Sequence, residues 1–259
     1  MNKTYIFLLL LFATLISSCS SYKNIPYFQD LNHNKATEEQ VSNYSPLTIQ
    51  PGDILGVNVN SRNPESSAIF NYNLNRVNGN NFDYSSENPV TGYLVNEKGE
   101  IELPLIGILK VSDLTTLQVR EKLRPLLLNY YKDATVNVRL INFKIYVYGD
   151  VQNPNVFTLR NERATVTQAL AMAGDLNITA KRKNVILVRE IDGVRKYIPI
   201  DLTSKKIFES PYYYLKNNDE IYVEPSRTKY APVDIGYRTL TLVLSALSIV
   251  AITLTTFKL

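Results

Sequence analysis

The sequence predicts an α+β protein in which two tandem β-rich modules are followed by a C-terminal transmembrane helix. Three observations carry this reading. Across residues 46–224, short runs of alternating apolar and polar residues are closed by Pro-Gly, Lys-Gly and Asp-Gly turns, the period-two signal of strands and hairpins. Within that region, two stretches change to helical spacing behind a capping threonine. Near the end of the chain, residues 239–257 run without a charge between Arg238 and Lys258.

The first module covers residues 46–143. Leu47-Thr48-Ile49, the Pro51-Gly52 turn and Ile54 to Val59 read as strand, turn and strand. Residues 58–89 are rich in Asn, Ser and Tyr with no clear period, so they read as a long surface loop or a poorly formed hairpin. Tyr93-Leu94-Val95, a turn at Lys98-Gly99, and the runs 101–107 and 108–111 then predict short strands. Thr115 or Thr116 caps a helix whose apolar residues are Leu117, Val119, Leu123, Leu126 and Leu127. Residues 134–140 return as a strand with Val136, Val138 and Leu140 on one face.

The second module, residues 144–224, repeats this grammar. A strand over 145–151, a turn at Asn153-Pro154-Asn155 and a strand over 156–159 precede a helix over 165–173, capped at Thr165 or nearby and ended by Gly174. Strands over 185–189, 197–200 and 220–223, with a turn at Asp192-Gly193, complete the order of a β-grasp module. Residues 225–237 form a linker to the last helix, 238–258.

Composition removes several classes of function. One cysteine, Cys19, excludes an internal disulfide or a cysteine-rich metal site, and one histidine, His33, excludes most histidine-dependent catalysis. The 28 Lys and Arg against 24 Asp and Glu give a net charge of +4 with no basic block, so no nucleic-acid partner is expected. Glu97, Glu100 and Glu102 are close in sequence, but a glycine turn and an alternating strand are ordinary places for solvated acids, not a glycosidase pair. Gly149, Gly174 and Gly193 have no phosphate-cradling spacing, and no Gly-X-Ser-X-Gly motif occurs. The reading is therefore of a protein that is not an enzyme, with no metal. The 18 tyrosines can either stack on sugar rings or pack strands and interfaces, and the sequence singles out none of them as a sugar contact.

Both ends point to a membrane. Met1-Asn2-Lys3, an apolar run over 5–16 and Ser17-Ser18 before Cys19 form a secretory signal over residues 1–18, too short to span stably. Ile16-Ser17-Ser18-Cys19 resembles the bacterial lipoprotein processing box. That resemblance implies a mature N-terminus at Cys19 carrying covalent lipid, with no other cofactor, and Ser20-Ser21 then imply passage onward to the outer membrane. Residues 19–45 are polar and read as a tether. At the other end, 239–257 as a helix is about 28 Å long, enough for one hydrocarbon core. Thr241, Ser245, Ser248, Thr255 and Thr256 fall within an arc of roughly 100°, while Val243, Leu247, Val250 and Leu254 point the other way. Two readings of this stripe remain open. The hydroxyls can bond back to their own helix and let one span pack, or several copies can form a ring with hydroxyl faces toward each other or water and aliphatic faces toward lipid.

From Leu47 to Phe257 the chain resembles the outer-membrane polysaccharide export lipoproteins of capsule and exopolysaccharide secretion. The resemblance rests on the Leu47 to Asp53 opening and on Gly99-Glu100-Ile101-Glu102-Leu103-Pro104-Leu105-Ile106-Gly107. It continues through Gly149-Asp150-Val151-Gln152-Asn153-Pro154 and the helix from Thr165 to Gly174, similar to the family's soluble-ligand-binding β-grasp domain. Asn155 and Asp175 stand where relatives commonly have Gly, and one β-grasp domain fits where larger relatives carry more. The resemblance implies a homo-oligomeric ring with a periplasmic body and C-terminal helices across the outer membrane. A capsular or exopolysaccharide would pass through it, supplied by an inner-membrane chain-length-determining copolymerase. A monomeric lipid-anchored glycan-binding or scaffold lipoprotein is the alternative, and a glycan-modifying enzyme a distant third.

Overall fold

The structure, a computed structural model, describes residues 24–32, 34–71, 75–77, 81–83, 92–191 and 193–256. Cys19 and His33 lie outside the described residues. The first module holds β1 (Ile54–Asn60), α1 (Pro64–Ser67), β2 (Asn75–Val77), β3 (Asn81–Asp83), β4 (Tyr93–Leu94), β5 (Glu100–Leu103), β6 (Gly107–Lys110), α2 (Thr116–Leu127) and β7 (Thr135–Leu140). The second holds β8 (Lys144–Gly149), β9 (Asn155–Thr158), α3 (Val166–Met172), β10 (Ala180–Ile191), β11 (Val194–Ile200) and β12 (Glu220–Pro225). Two helices follow, α4 (Arg227–Tyr230) and α5 (Ile235–Thr256). The α+β class is as expected.

In the first module β1 is the middle strand of a three-stranded antiparallel sheet, β4-β1-β7. Its Leu55, Val57 and Val59 are buried, and Val57 faces Val138 while Val59 faces Val136. Leu47 and Ile49 are buried as their alternation predicts. They form no strand, however, because Ile49 exchanges backbone hydrogen bonds with Asp113 and Leu114 instead, both at 2.9 Å. Residues 101–107 are likewise not one strand. Pro104 has no N–H to give a ladder, Leu105 takes a φ of 62°, and the chain turns back so that β5 and β6 pair as a hairpin.

The region read as a long loop contributes to the core. Phe70 is fully buried and its carbonyl accepts the Tyr93 hydroxyl at 2.8 Å. The Asn71 amide replaces a neighbouring strand for Val59, accepting its N–H at 2.9 Å and donating to its carbonyl at 2.8 Å. Such long-range satisfaction of backbone groups leaves no periodicity in the sequence.

The second module is a five-stranded sheet, β11-β10-β12-β8-β9, antiparallel except where β12 runs parallel to β8. Both longer helices of the two modules begin on capping boxes, Thr115 with Gln118 and Thr165 with Gln168, each satisfying two orphan N–H groups. Through Val166, Ala169 and Leu170, α3 lies against the same core as Ile145, Val147, Ile221 and Val223. The modules are joined by the loop at 216–219. Asn217 donates to the buried Asp53 at 2.6 Å and accepts the Lys144 N–H at 2.9 Å. The adjacent Asp219 is held in a buried pair by Arg189.

The expected tether is docked along much of its length. The Phe28 and Gln29 N–H groups donate to the Leu202 and Thr203 carbonyls, Tyr27 donates its hydroxyl to Asp175, and Asn43 donates to the Phe208 and Ser210 carbonyls. Asp175 explains its own departure from glycine. Its φ is 72°, a conformation aspartate tolerates, and its carboxylate is the acceptor for the Tyr27 hydroxyl.

The last helix is present over 22 residues, but among the described residues no helix is long and apolar enough to cross a membrane. This corrects the expectation of a C-terminal transmembrane helix over 238–258. The hydroxyl residues Thr239, Thr241, Ser245, Ser248 and Thr253 dilute the aliphatic ones throughout, and Arg238 lies in the first turn.

Gly149 has a φ of 100°, and a Cβ there would lie 2.1 Å from the Val223 carbonyl oxygen of β12. Gly149→Ala combines left-handed strain with a backbone clash and should cost about 2–4 kcal/mol. Urea unfolding of the purified variant measures it, and an unchanged midpoint would contradict the assignment.

Candidate functional site

The candidate site is α5 with the foothold that aims it. After β12 the chain is caught at once, as the Ser226 N–H donates to the Thr179 carbonyl at 2.8 Å. One turn later the Lys229 ammonium reaches the buried Asp150 carboxylate at 2.6 Å. Asp150 sits directly after Gly149, where the end of β8 turns inward, and also accepts from the Asn177 amide at 3.0 Å and the Thr179 hydroxyl at 2.6 Å. Burial opposes its ionisation, but the hydrogen bonds from Lys229, Thr179 and Asn177 outweigh burial and hold the carboxyl below the ordinary carboxylate range. The motif residues Gly149 and Asp150 are thus the bracket for the C-terminal segment.

Asp234 then starts α5. Its N–H is held by the Tyr230 carbonyl at 2.9 Å, its carboxylate accepts the Gly236 N–H at 2.8 Å, and its carbonyl accepts Arg238 N–H at 3.1 Å. An acid at this place also complements the positive end of the helix dipole.

Along α5 the expected outward residues Val243, Leu247 and Val250 are 51–60% exposed. Leu240, Leu242, Leu244, Ile249 and Ile252 are exposed too, so aliphatic surface surrounds more of the helix than the expected face. Thr241, Ser245 and Ser248 donate to carbonyls of their own helix, Arg238, Thr241 and Leu244 respectively, at 2.6–2.8 Å. Thr253 does the same to Ile249. The Leu254, Thr255 and Thr256 side chains and Cys19 lie outside the described ones.

Among the described residues no group of His, Cys, Asp and Glu could hold a metal ion. Glu97, Glu100 and Glu102 stand on the β5–β6 hairpin, with Glu100 opposite Lys110 and Glu102 opposite Ile108. Sequence reasoning missed the foothold. Asp150 falls within the Gly149 to Pro154 motif, but its partner Lys229 is 79 positions away and carries no local signal.

Asp150 supplies a pH dependence. A carboxyl held low in the folded state stabilises it above the unfolded pKa of about 3.9 and loses that contribution as pH falls through the lower folded value. Between pH 7 and pH 3 the foothold should therefore weaken, by about 1–2 kcal/mol. Hydrogen exchange at the Ser226 and Lys229 amides, corrected for intrinsic rate, should report it, and Asp150→Asn should reproduce it at pH 7. Equal protection at both pH values would count against it.

Comparison with known proteins adds the family. Residues 41–141 match the polysaccharide biosynthesis/export protein family and residues 144–199 the SLBB domain. The EPS I polysaccharide export outer membrane protein EpsA of Ralstonia solanacearum is 25% identical over 198 residues, covering 74% of this chain and 51% of that protein. The protein of the same name from Ralstonia nicotianae is 29% identical over 141 residues, covering 52% of this chain and 36% of its own length. The chain thus spans about half, or less, of the curated relatives it matches. The family matched over residues 41–141 and both relatives are named for polysaccharide export, and over residues 41–199 the chain is similar to a polysaccharide biosynthesis/export protein whose export domain is followed directly by an SLBB domain.

Proposed function

We propose that this protein is a subunit of an outer-membrane polysaccharide export channel, a homo-oligomeric ring through which a capsular or exopolysaccharide passes. It catalyses no reaction, and synthesis and energy come from inner-membrane partners, among them a chain-length-determining copolymerase. The observation that supports the reading is the union of an export domain and an SLBB domain with a 22-residue helix whose large aliphatic side chains are mostly exposed among the described residues. In this account the modules over 46–143 and 144–224 form the periplasmic body, and lipid on Cys19 holds it to the membrane. The α5 helices meet side by side, with Thr241, Ser245 and Ser248, followed by Thr255 and Thr256, toward neighbours or water. Assembly matters because a lone helix of this composition leaves hydroxyls toward lipid, whereas a ring turns them inward.

One observation favours the rival, a monomeric lipid-anchored glycan-binding or scaffold protein. The described hydroxyls of the stripe already bond to their own helix, so they do not require a partner. Two experiments separate the readings. Electron microscopy of detergent-extracted full-length protein should show closed rings, whereas uniform monomers favour the rival. Replacing Ser245 and Ser248 together by Leu should lower polymer export at least about tenfold while leaving the protein in the membrane fraction, because two bulky apolar groups fill a wetted seam. Export equal to wild type would defeat the inward assignment.

A further inference from the structure

The uncovered face of the five-stranded sheet has an anatomy that the export reading does not use. Cross-strand partners project to the same side, so the register defines two rows. Tyr197, Val188, Glu220, Tyr146 and Val156 follow one another across β11, β10, β12, β8 and β9. The next row is Pro199, Ile186, Tyr222 and Tyr148. The alternate residues, such as Leu187, Ile221 and Val147, are at most 1% exposed and belong to the core. A sheet with one face on its core normally turns polar residues to the other. Here the outward centre is aromatic and aliphatic, and Tyr148, Val156 and Tyr197 are 39%, 47% and 66% exposed. The ring contacts stay within the face: Tyr148 lies 5.4 Å from Tyr222, and the Lys144 ammonium lies over Tyr146 at 5.7 Å.

We infer that this face is a stacking platform for a neutral, hydroxyl-rich glycan strand. This deepens the export reading and rests on it for the presence of a polymer. Size argues against a second copy as the occupant. Five strands at about 4.8 Å and two rows about 6.8 Å apart make a patch of roughly 300–350 Å², whereas a stable protein interface needs about 800 Å² on each side. A narrow polymer needs less. The side chains suit it, since each tyrosine offers a flat ring to the C–H side of a sugar and a hydroxyl to its edge.

Charge selects the polymer. Lys144, Lys181, Lys183 and Arg195 stand on and around the face with Glu190, Glu220 and Glu224. Arg195 is paired with Glu190, and Lys181 with Glu224. The acid in the middle is Glu220, which accepts the Tyr148 hydroxyl at 3.0 Å. Its remaining lone pairs welcome sugar hydroxyls as donors and repel the carboxylates of an acidic polymer.

The test is calorimetric titration of full-length protein in detergent with maltohexaose and cellohexaose as neutral probes and hexagalacturonate as the anionic one. A neutral probe should bind at least about tenfold tighter than hexagalacturonate. Tyr148→Ala and Tyr197→Ala, both at exposed positions, should each weaken it about tenfold, as truncating one anchoring aromatic does. Tyr130→Ala, on the first module, should not. No binding of either neutral probe by the wild type, tighter binding of the anionic one, or variants that bind like wild type would each overturn the platform. So would variants that lose oligomer on sedimentation yet keep glycan affinity, since the face would then be a contact between copies. Polymer export by cells lacking the gene decides the export reading separately: normal export there sinks that reading, while lost export with no glycan binding sinks only the platform.

Discussion

The constraint on which the account depends is the bare aliphatic surface of the last helix. Leu240, Leu242, Val243, Leu244, Leu247, Ile249, Val250 and Ile252 are all more than half exposed. Covering that many large side chains is worth on the order of 10 kcal/mol, comparable to the whole stability of a domain. In the proposed ring, neighbouring copies would meet the hydroxyls on one side and lipid would meet the aliphatic groups over the rest.

The rest of the chain reads as a mount for that helix. Asp150 anchors α4 through Lys229, and Gly149 lets β8 approach β12 closely enough to bring Asp150 there. The loop at 216–219 ties the two modules, since Asn217 bridges Asp53 and Lys144 while Asp219 is clamped by Arg189. Breaking one partner of such a buried pair leaves an uncompensated charge, so the Arg189–Asp219 pair holds the 216–219 loop in place. The N-terminal segment adds a strap: Phe28 stacks on Phe208, and Tyr27 lies against Arg182 and Asp175. In the proposed account, lipid on Cys19 and the last helix would then be fixed to the same SLBB domain.

How much of this was legible in the sequence depended on range. The helix starts were, because Thr115 or Thr116 and Thr165 stand just before helical spacing; the returning Gln118 and Gln168 side chains that complete the caps came only with the structure. Strand alternation set Val136 and Val138 on one face, and the structure buries Val138 and packs the half-buried Val136 against the core. The contribution of Phe70 and Asn71 was not legible, since it is set by Val59 and Tyr93 rather than by neighbours. The docking of Tyr27 and Asn43 was hidden for the same reason. At the candidate site, the hydroxyl stripe was visible as a period. Its hydrogen bonds to its own carbonyls, the Asp150–Lys229 bracket and the outward tyrosines of the SLBB sheet were not. Those tyrosines alternate like any strand residues, and only the packing of α3 on the opposite face leaves them uncovered.

Site-by-site thiol labelling along α5 in native membranes tests the central claim most directly. Single cysteines at positions 241, 245 and 248 should react with a membrane-impermeant reagent or cross-link between copies, and cysteines at 243, 247 and 250 should instead be quenched by lipid-dissolved probes. Lipid quenching at all six positions, with neither aqueous labelling nor cross-links, would contradict an assembled conduit.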